Sequence, residues 1–328
     1  MRRREFITLM GAVGAGWPLA ARAQRSAMPV IGFVNAGSAQ GLGLGQLEAY
    51  LKGLRETGNI EGQNVSIEYH WAEGKNDRLP AIMADLVHRQ VSVIAATTTP
   101  AALAAQAATT TIPIVFETGS DPVQLGLVAT LNSPGSNVTG VTSMIVEVAP
   151  KRLELLHELL PKASVMALLV NPADRALAQA QSREVLSAAR RLGLELRVLN
   201  ASNERDFDDV FANLSQLRAA GMVIGAGSVF LPNIEQLGSL TVRHRVPAIY
   251  EFKSFAAAGG LMSYGSDITE SYRLAGIYTG RVLKGEKPAD LPVVQPTKFD
   301  LVINLKTAKT LGLAAPPMLL TSADEVIE

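Results

Sequence analysis

Two carboxylates, Glu117 and Asp121, flank one polar loop, and they are the residues whose type and spacing come nearest to acid/base chemistry. Such a pair does general acid and base work when its surroundings push the two pKa values apart. Asp121-Pro122 reads equally well as a turn or a helix N-cap. A run of glycines, Gly41-Leu42-Gly43-Leu44-Gly45, stands between the first predicted strand and helix, where a dinucleotide phosphate would be cradled. Its spacing is G-x-G-x-G, not G-x-G-x-x-G, and His70 and Trp71 stand at the end of the second strand where a ribose-binding acid is needed. The run reads as a flexible loop or lobe edge. Neither G-x-x-x-x-G-K-[ST] nor G-x-S-x-G occurs, which removes the P-loop and the common serine-hydrolase elbow. The histidines, His70, His88, His157 and His244, share no metal-ligand spacing, and cysteine is absent. The sequence therefore predicts a protein that is not an enzyme and has no cofactor and no structural metal.

What remains is a set of polar loops at the carboxyl ends of predicted strands, where open parallel sheets bind ligands and helix N-termini expose unpaired N–H groups. In the first half these loops carry Ala36-Gly37-Ser38, Trp71 to Gly74, Thr97-Thr98-Thr99 and Thr118-Gly119-Ser120-Asp121. In the second they carry Asn171-Pro172, Asn200 to Ser202, Gly227-Ser228-Val229-Phe230 and Tyr250-Glu251-Phe252. One wall of hydroxyls and a facing wall with aromatics suit a small zwitterion. Backbone N–H groups and hydroxyls would hold its carboxylate, Asp121 its ammonium, and Phe230 or Tyr250 its side chain. For each residue the plain alternative is that the hydroxyl caps its helix and the aromatic packs in the sheet.

The elements that must position these loops alternate regularly. Short β-branched apolar runs are predicted as strands over 30–35, 65–69, 91–96, 112–116 and 138–144, separated by helix-period segments such as Leu47, Tyr50, Leu51, Leu54 and Leu79, Ile82, Met83, Leu86. After the loop-former cluster 131–140 the pattern restarts. Helices are expected over 149–160, before Gly193, around Phe207–Leu214 and 234–240, with strands over 165–170, 194–199, 222–225 and 247–252. A strand 261–264, a helix 268–283, a Pro-rich connector 287–296 and a strand 299–304 are too few for a third domain. They are expected to cross back and complete the existing halves, so the fold class is α/β with parallel sheets in two lobes. The first lobe is drawn as 29–141 plus about 265–297, and the second as 142–264 plus about 298–328.

The N-terminus reads as an export signal. Arg2, Arg3 and Arg4 precede a mild, glycine-bearing apolar stretch too short to span a bilayer, and Ala21-Arg22-Ala23 offers a small-x-small cleavage site. Arg3-Arg4-Glu5-Phe6-Ile7 resembles a twin-arginine signal. Residue 24 is Gln, so the mature chain would not be a lipoprotein. The 328-residue chain has 30 basic and 30 acidic residues. Removing 1–23 takes four arginines and one glutamate, leaving 26 against 29, a net charge of −3. A chain without a basic cluster lacks the phosphate attraction on which nucleic-acid binding depends.

MPVIGFVNAGS, AATTTPAALAAQAATTTIPIVFETGSDPVQLGLV, LNSPGSNVTGVTS, VPAIYEF, AAAGGLMSYGSD and QPTKFDLVINLKTAKTLGL together resemble the ABC transporter substrate-binding proteins typified by tryptophan- and tyrosine-binding proteins. The resemblance covers nearly the whole chain. It implies a type I periplasmic binding fold, in which two Rossmann-like lobes with parallel sheets are joined by a three-segment hinge that closes on ligand. It also implies a periplasmic receptor that hands a small ligand, amino acid-like or another small carboxylate, to an inner-membrane permease and its ATPase. Position by position, Ser38, Thr98, Thr99, Asp121 and Ser143 match the polar side of the family's cleft, and Gly227, Ser228, Tyr250 and Tyr264 lie where the second lobe would close. A sensor feeding a signalling receptor, and least of all a periplasmic hydrolase, stand as the alternatives.

Overall fold

The structure is a computed structural model that describes residues 28–40, 42, 45–214 and 216–328; the expected signal over 1–23, and Gly41, Gly43 and Leu44 of the glycine run, lie outside the described residues. The first half runs β1 (Val30–Asn35), α1 (Gln46–Glu56), β2 (Ser66–Trp71), α2 (Leu79–His88), β3 (Val93–Ala96), α3 (Thr99–Ala108), β4 (Ile114–Thr118) and β5 (Val138–Thr142). These strands form one all-parallel sheet in the order β2-β1-β3-β4-β5. The chain then continues through α4 (Ile145–Leu159), β6 (Val165–Val170), α5 (Arg175–Arg191), β7 (Glu195–Asn200), α6 (Asp206–Leu214), β8 (Met222–Ile224), α7 (Ile234–Arg243), β9 (Ala248–Tyr250), α8 (Lys253–Ala257) and β10 (Met262–Gly265). It finishes with α9 (Ile268–Leu283), β11 (Asp300–Asn304), α10 (Leu305–Thr310), α11 (Pro317–Thr321) and β12 (Glu325–Ile327).

The second sheet has the order β12-β11-β10-β9-β8-β6-β7. Its segment β7-β6-β8-β9-β10 repeats the topology of the first sheet, and β11 joins antiparallel to β10. Both sheets are covered by helices on both faces, the condition under which strands are near-continuous apolar runs. Phe33, Tyr50, Val115 and Tyr272 pack on one face of the first sheet and Val34, Met83, Ile94 and Phe116 on the other. Leu153, Leu168 and Ile249 pack on one face of the second and Leu169, Phe211 and Tyr250 on the other.

The helix α9 lies late in the chain but covers the first sheet, where it crosses α1. A Cβ on Gly53 would fall 1.9 Å from the Arg273 carbonyl oxygen, and one on Gly276 would fall 2.1 Å from that of Tyr50. Reciprocal glycines let the two backbones touch. The chain passes between the sheets three times: from β5 into α4, from β10 into α9, and from Val294, which bridges Val141 of β5, into β11. Ser266 Oγ donates to the Ser143 carbonyl (3.1 Å), so the first two passages are tied to each other.

The structure departs from the sequence expectations at a few ends. Helix α4 begins at Ile145, earlier than the expected 149, and carries Pro150 inside it. The turn that starts it is made by Met144, a non-glycine residue at φ 52°. The short helices α8, α10 and α11, and the edge strand β12, have too few residues for a hydrophobic period to register.

Candidate functional site

The carboxyl ends of the two sheets face each other across a cavity with about 720 Å³ of empty space, the open solvent at its mouth included. The first half supplies Asn35, Gly37, Gln46, Thr97, Thr98, Thr99 and Glu117; the second supplies Asp174, Leu177, Gly227, Ser228, Glu251 and Phe252. Gln46, Leu231, Phe252 and Ile268 are shared with an adjoining cavity of about 600 Å³, so the site continues past a largely apolar neck.

The floor on the first side is fixed by Asn35. Its Nδ2 donates to Thr97 Oγ1 (3.0 Å) and its Oδ1 accepts from the Gly37 N–H (2.7 Å), while the Tyr272 hydroxyl of α9 donates to the Thr97 carbonyl (2.9 Å). At the start of α3, Thr98 is the N-cap residue with extended backbone, yet its side chain does not cap the helix. Its Oγ1 accepts instead from the Ala36 N–H (3.2 Å), and Thr99 Oγ1 pairs with Thr118 Oγ1 at 2.7 Å. The first-turn N–H groups of α3 are thus left without a side-chain cap at the cavity wall, a ready position for an anion.

Two glutamates form the charged part of the lining. Glu117, on β4, is buried, and its Oε1 accepts from Ser143 Oγ (2.9 Å). Burial pushes Glu117 up to about 8 against the pull of the Ser143 hydrogen bond, with the nearby Glu251 adding to the rise. Glu251, just past β9, is 3% exposed, and its Oε2 has no hydrogen-bond partner. Burial pushes it up to about 7, opposed by the positive charge of Arg152. Arg152, on α4, is fully buried; Nη2 donates to the Ile145 carbonyl (2.6 Å) and Nη1 to that of Tyr264 (3.2 Å). Burial lowers its pKa, but a guanidinium stays charged at neutral pH. Gln46 is 4% exposed and its Oε1 is also unpartnered at the cavity wall.

Of the residues singled out in the sequence, Thr98, Thr99, Gly227 and Ser228 line this cavity. Ser38 follows the lining residue Gly37 and is half-buried. Asp121 stands in a different crevice with Glu147 and Arg183, where its Oδ1 accepts from the Val123 N–H (2.8 Å), the turn-capping alternative. Ser143 sits behind the wall on Glu117. Tyr250 and Phe230 are fully buried in the second half's core, and Tyr264 packs near Phe299, with ring centroids 6.2 Å apart. Reasoning from sequence gave no role to Asn35, Gln46, Arg152, Asp174 or Tyr272, and named Glu251 only within the loop Tyr250-Glu251-Phe252. A signal for the glutamates was present: Ile112-Pro113-Ile114-Val115-Phe116-Glu117 and Val246-Pro247-Ala248-Ile249-Tyr250-Glu251 are one pattern, apolar-Pro-apolar-apolar-aromatic-Glu, at the equivalent strand of each sheet. For Arg152 the signal was its place on the apolar stripe Ala149, Leu153, Leu156 of α4.

The family model for ABC transporter substrate binding protein matches residues 41–327. The chain belongs to the ABC transporter substrate-binding protein family. Among relatives of this family member, a tyrosine-binding protein of Clostridioides difficile strain R20291 is 25% identical over 266 residues, 81% of this chain and 76% of the relative. A conserved domain protein from Vibrio cholerae superposes with a TM-score of 0.81 at 25% identity, over 91% of this chain and 99% of the other. An ABC domain in complex with L-Trp from Streptococcus pneumoniae gives 0.77 at 24% identity, over 91% and 99%. The two mostly parallel α/β sheets are those of the type I periplasmic binding protein fold. Among the described residues of this substrate-binding protein, no cluster of three or more His, Asp or Glu could hold a metal ion, and no helix is long and apolar enough to cross a membrane.

Proposed function

We propose that this protein is an exported receptor that binds an amino acid-like solute between its two lobes and presents it to an inner-membrane permease and its ATPase. One observation carries the reading: Gln46 and Glu251, whose Oε1 and Oε2 atoms are buried without hydrogen-bond partners, line one cavity from the two halves. Such atoms cost free energy unless something other than protein satisfies them. The uncapped start of α3 with Thr98 and Thr99 supplies N–H groups and hydroxyls for a carboxylate. The neck of Leu231, Phe252 and Ile268 supplies room for an apolar side chain. The tyrosine-binding relative and the L-Trp-bound structure support an amino acid as the class of ligand.

Binding without chemistry fits the hydroxyls. Ser143 is buried on Glu117 and does not line the cavity, and Ser228 is placed beside Asp174 and Asn171 with no histidine in the lining. Closure fits the lip of the cavity, where Asn76 Nδ2 donates to Asp174 Oδ1 (2.8 Å) and to the Ala173 carbonyl (3.0 Å), a contact between the halves that exists only when they are together. Ligand shifts the population toward that arrangement because it touches both walls only there.

A thermal-shift screen of residues 24–328 against the twenty L-amino acids tests the reading. A ligand at 100 times its dissociation constant stabilises by ~2.7 kcal/mol. At least one amino acid is expected to raise the melting temperature; no response to any of them refutes the reading.

A further inference from the structure

We infer that Glu117 and Glu251 together form a cation seat that spans the two lobes, so that the ligand's positively charged amine, rather than its carboxylate, is the group that draws the halves together. The inference deepens the amino acid reading and rests on it for the position of the ligand. The seat is assembled from equivalent places in the two halves: the same apolar-Pro-apolar-apolar-aromatic-Glu pattern ends β4 on one side and β9 on the other, and both side chains line the one cavity. Neither glutamate has an ion-pair partner within 4 Å among the described residues. Among the described residues, no lysine or arginine lines the cavity. A cavity walled by two buried carboxyl groups, with one arginine charge behind them and no cationic side chain in the lining, favours a ligand that brings its own positive charge. The third carboxylate of the lining, Asp174, is already supplied with donors by Asn76 and by the Ser228 N–H and hydroxyl.

The charged and titratable groups around the seat are few. Tyr272 of α9 stands on the Glu117 side, and Tyr250 of β9, with Arg152 and Glu147 of α4 behind it, on the Glu251 side. Arg152 is spent on the Ile145 and Tyr264 carbonyls and on balancing one of the two carboxylates, which leaves the pair one positive charge short when both are ionised. Without a cation in the cavity the pair relieves its repulsion by holding a proton or by letting the lobes part. A seated ammonium replaces that proton, so binding of an amine releases protons, and affinity falls as pH drops from 8 toward 6. Dicarboxylates and simple carboxylic acids are rejected by the same field.

The test is calorimetry on the intact mature chain with L-tyrosine and L-tryptophan, with tyramine and tryptamine, which keep the amine alone, and with 3-(4-hydroxyphenyl)propionate and 3-indolepropionate, which keep the carboxylate alone. Titrations in two buffers of different ionisation enthalpy count the protons released. The amines are expected to bind, the acids to lose at least a hundredfold against the amino acids, and Glu117→Gln and Glu251→Gln each to lose about ten- to a hundredfold for the amines while abolishing most of the proton release. Both variants are isosteric, and unfolding curves establish that they fold. Acids that bind as tightly as the amino acids, or Gln variants within twofold of the parent, overturn the cation seat and leave the amino acid reading standing. Amines that bind where none of the twenty amino acids does uphold the seat and refute that reading; silence from all six compounds overturns the seat, and the amino acid reading falls with it only if the other amino acids are silent too.

Discussion

The two lobes are the same strand arrangement built twice, and they solve the problem of a buried glutamate differently. At the end of β4, Glu117 has a serine hydroxyl and no cation, and its pKa is pushed up to about 8. At the end of β9, Glu251 has the charge of Arg152 behind it, an unpartnered oxygen, and a pKa of about 7. Burial is the larger cause on both sides, so the difference lies in the neighbour. The lobes also complete themselves differently. The first borrows α9 across a backbone contact made possible by Gly53 and Gly276, whereas the second adds β11 and β12 to the end of its sheet. Duplication of a fold thus supplies two matching groups at one cleft, and local changes decide how each is charged.

The contrast breaks most completely at Arg152. Arg152→Ala removes the guanidinium behind the second glutamate together with its hydrogen bonds to the Ile145 and Tyr264 carbonyls, and it is expected to cost about 4 kcal/mol in urea unfolding. A loss below ~1 kcal/mol would show that Arg152 supports nothing. Gly53→Ala acts on the first lobe alone. Its Cβ would meet the Arg273 carbonyl at 1.9 Å, so α1 and α9 must separate at a cost of about 3 kcal/mol, with the second lobe's unfolding unchanged where the two transitions resolve.

The Glu117 side is sharpened by pH. A carboxyl whose native pKa lies above its unfolded value stabilises the fold below pH 4.5, and that contribution is lost as pH rises through about 8. Glu117→Gln cannot ionise, so relative to the parent it gains on the order of 2 kcal/mol between pH 5 and pH 8. A constant difference across that window would mean that Glu117 is ionised throughout. The smallest effect is expected at the lip: Asn76→Ala removes the hydrogen bonds to Ala173 and Asp174 and weakens the closed arrangement by about 1 kcal/mol, read as roughly a fivefold loss of ligand affinity with unfolding unaltered.

Much of the fold was legible because its strands are short runs of β-branched residues bounded by Gly, Asn and Thr, and its helices carry clear apolar stripes. The start of α4 was hidden by Pro150, which a helix tolerates for the loss of one hydrogen bond, and β11 gives no local sign that it runs antiparallel. In the site, loops rich in Thr and Ser were found because hydroxyls mark strand ends. The cavity position expected of Tyr250 falls to Glu251 through a single step of the strand alternation: the aromatic packs in the core, and the acid beside it lines the cavity. Arg152 was hidden because an arginine on a helix is ordinarily solvated, and only its coincidence with the apolar stripe says otherwise.

The central claim is that one small ligand is held by walls from both lobes in the cavity between β4 and β9. A crystal structure of residues 24–328 grown with the amino acid that gives the largest thermal shift tests it most directly. The account predicts ligand density within hydrogen-bond distance of Thr98 or Glu117 on one side and of Ser228 or Glu251 on the other. Ligand bound to one lobe only, or seated in the crevice of Asp121 and Glu147, would contradict it.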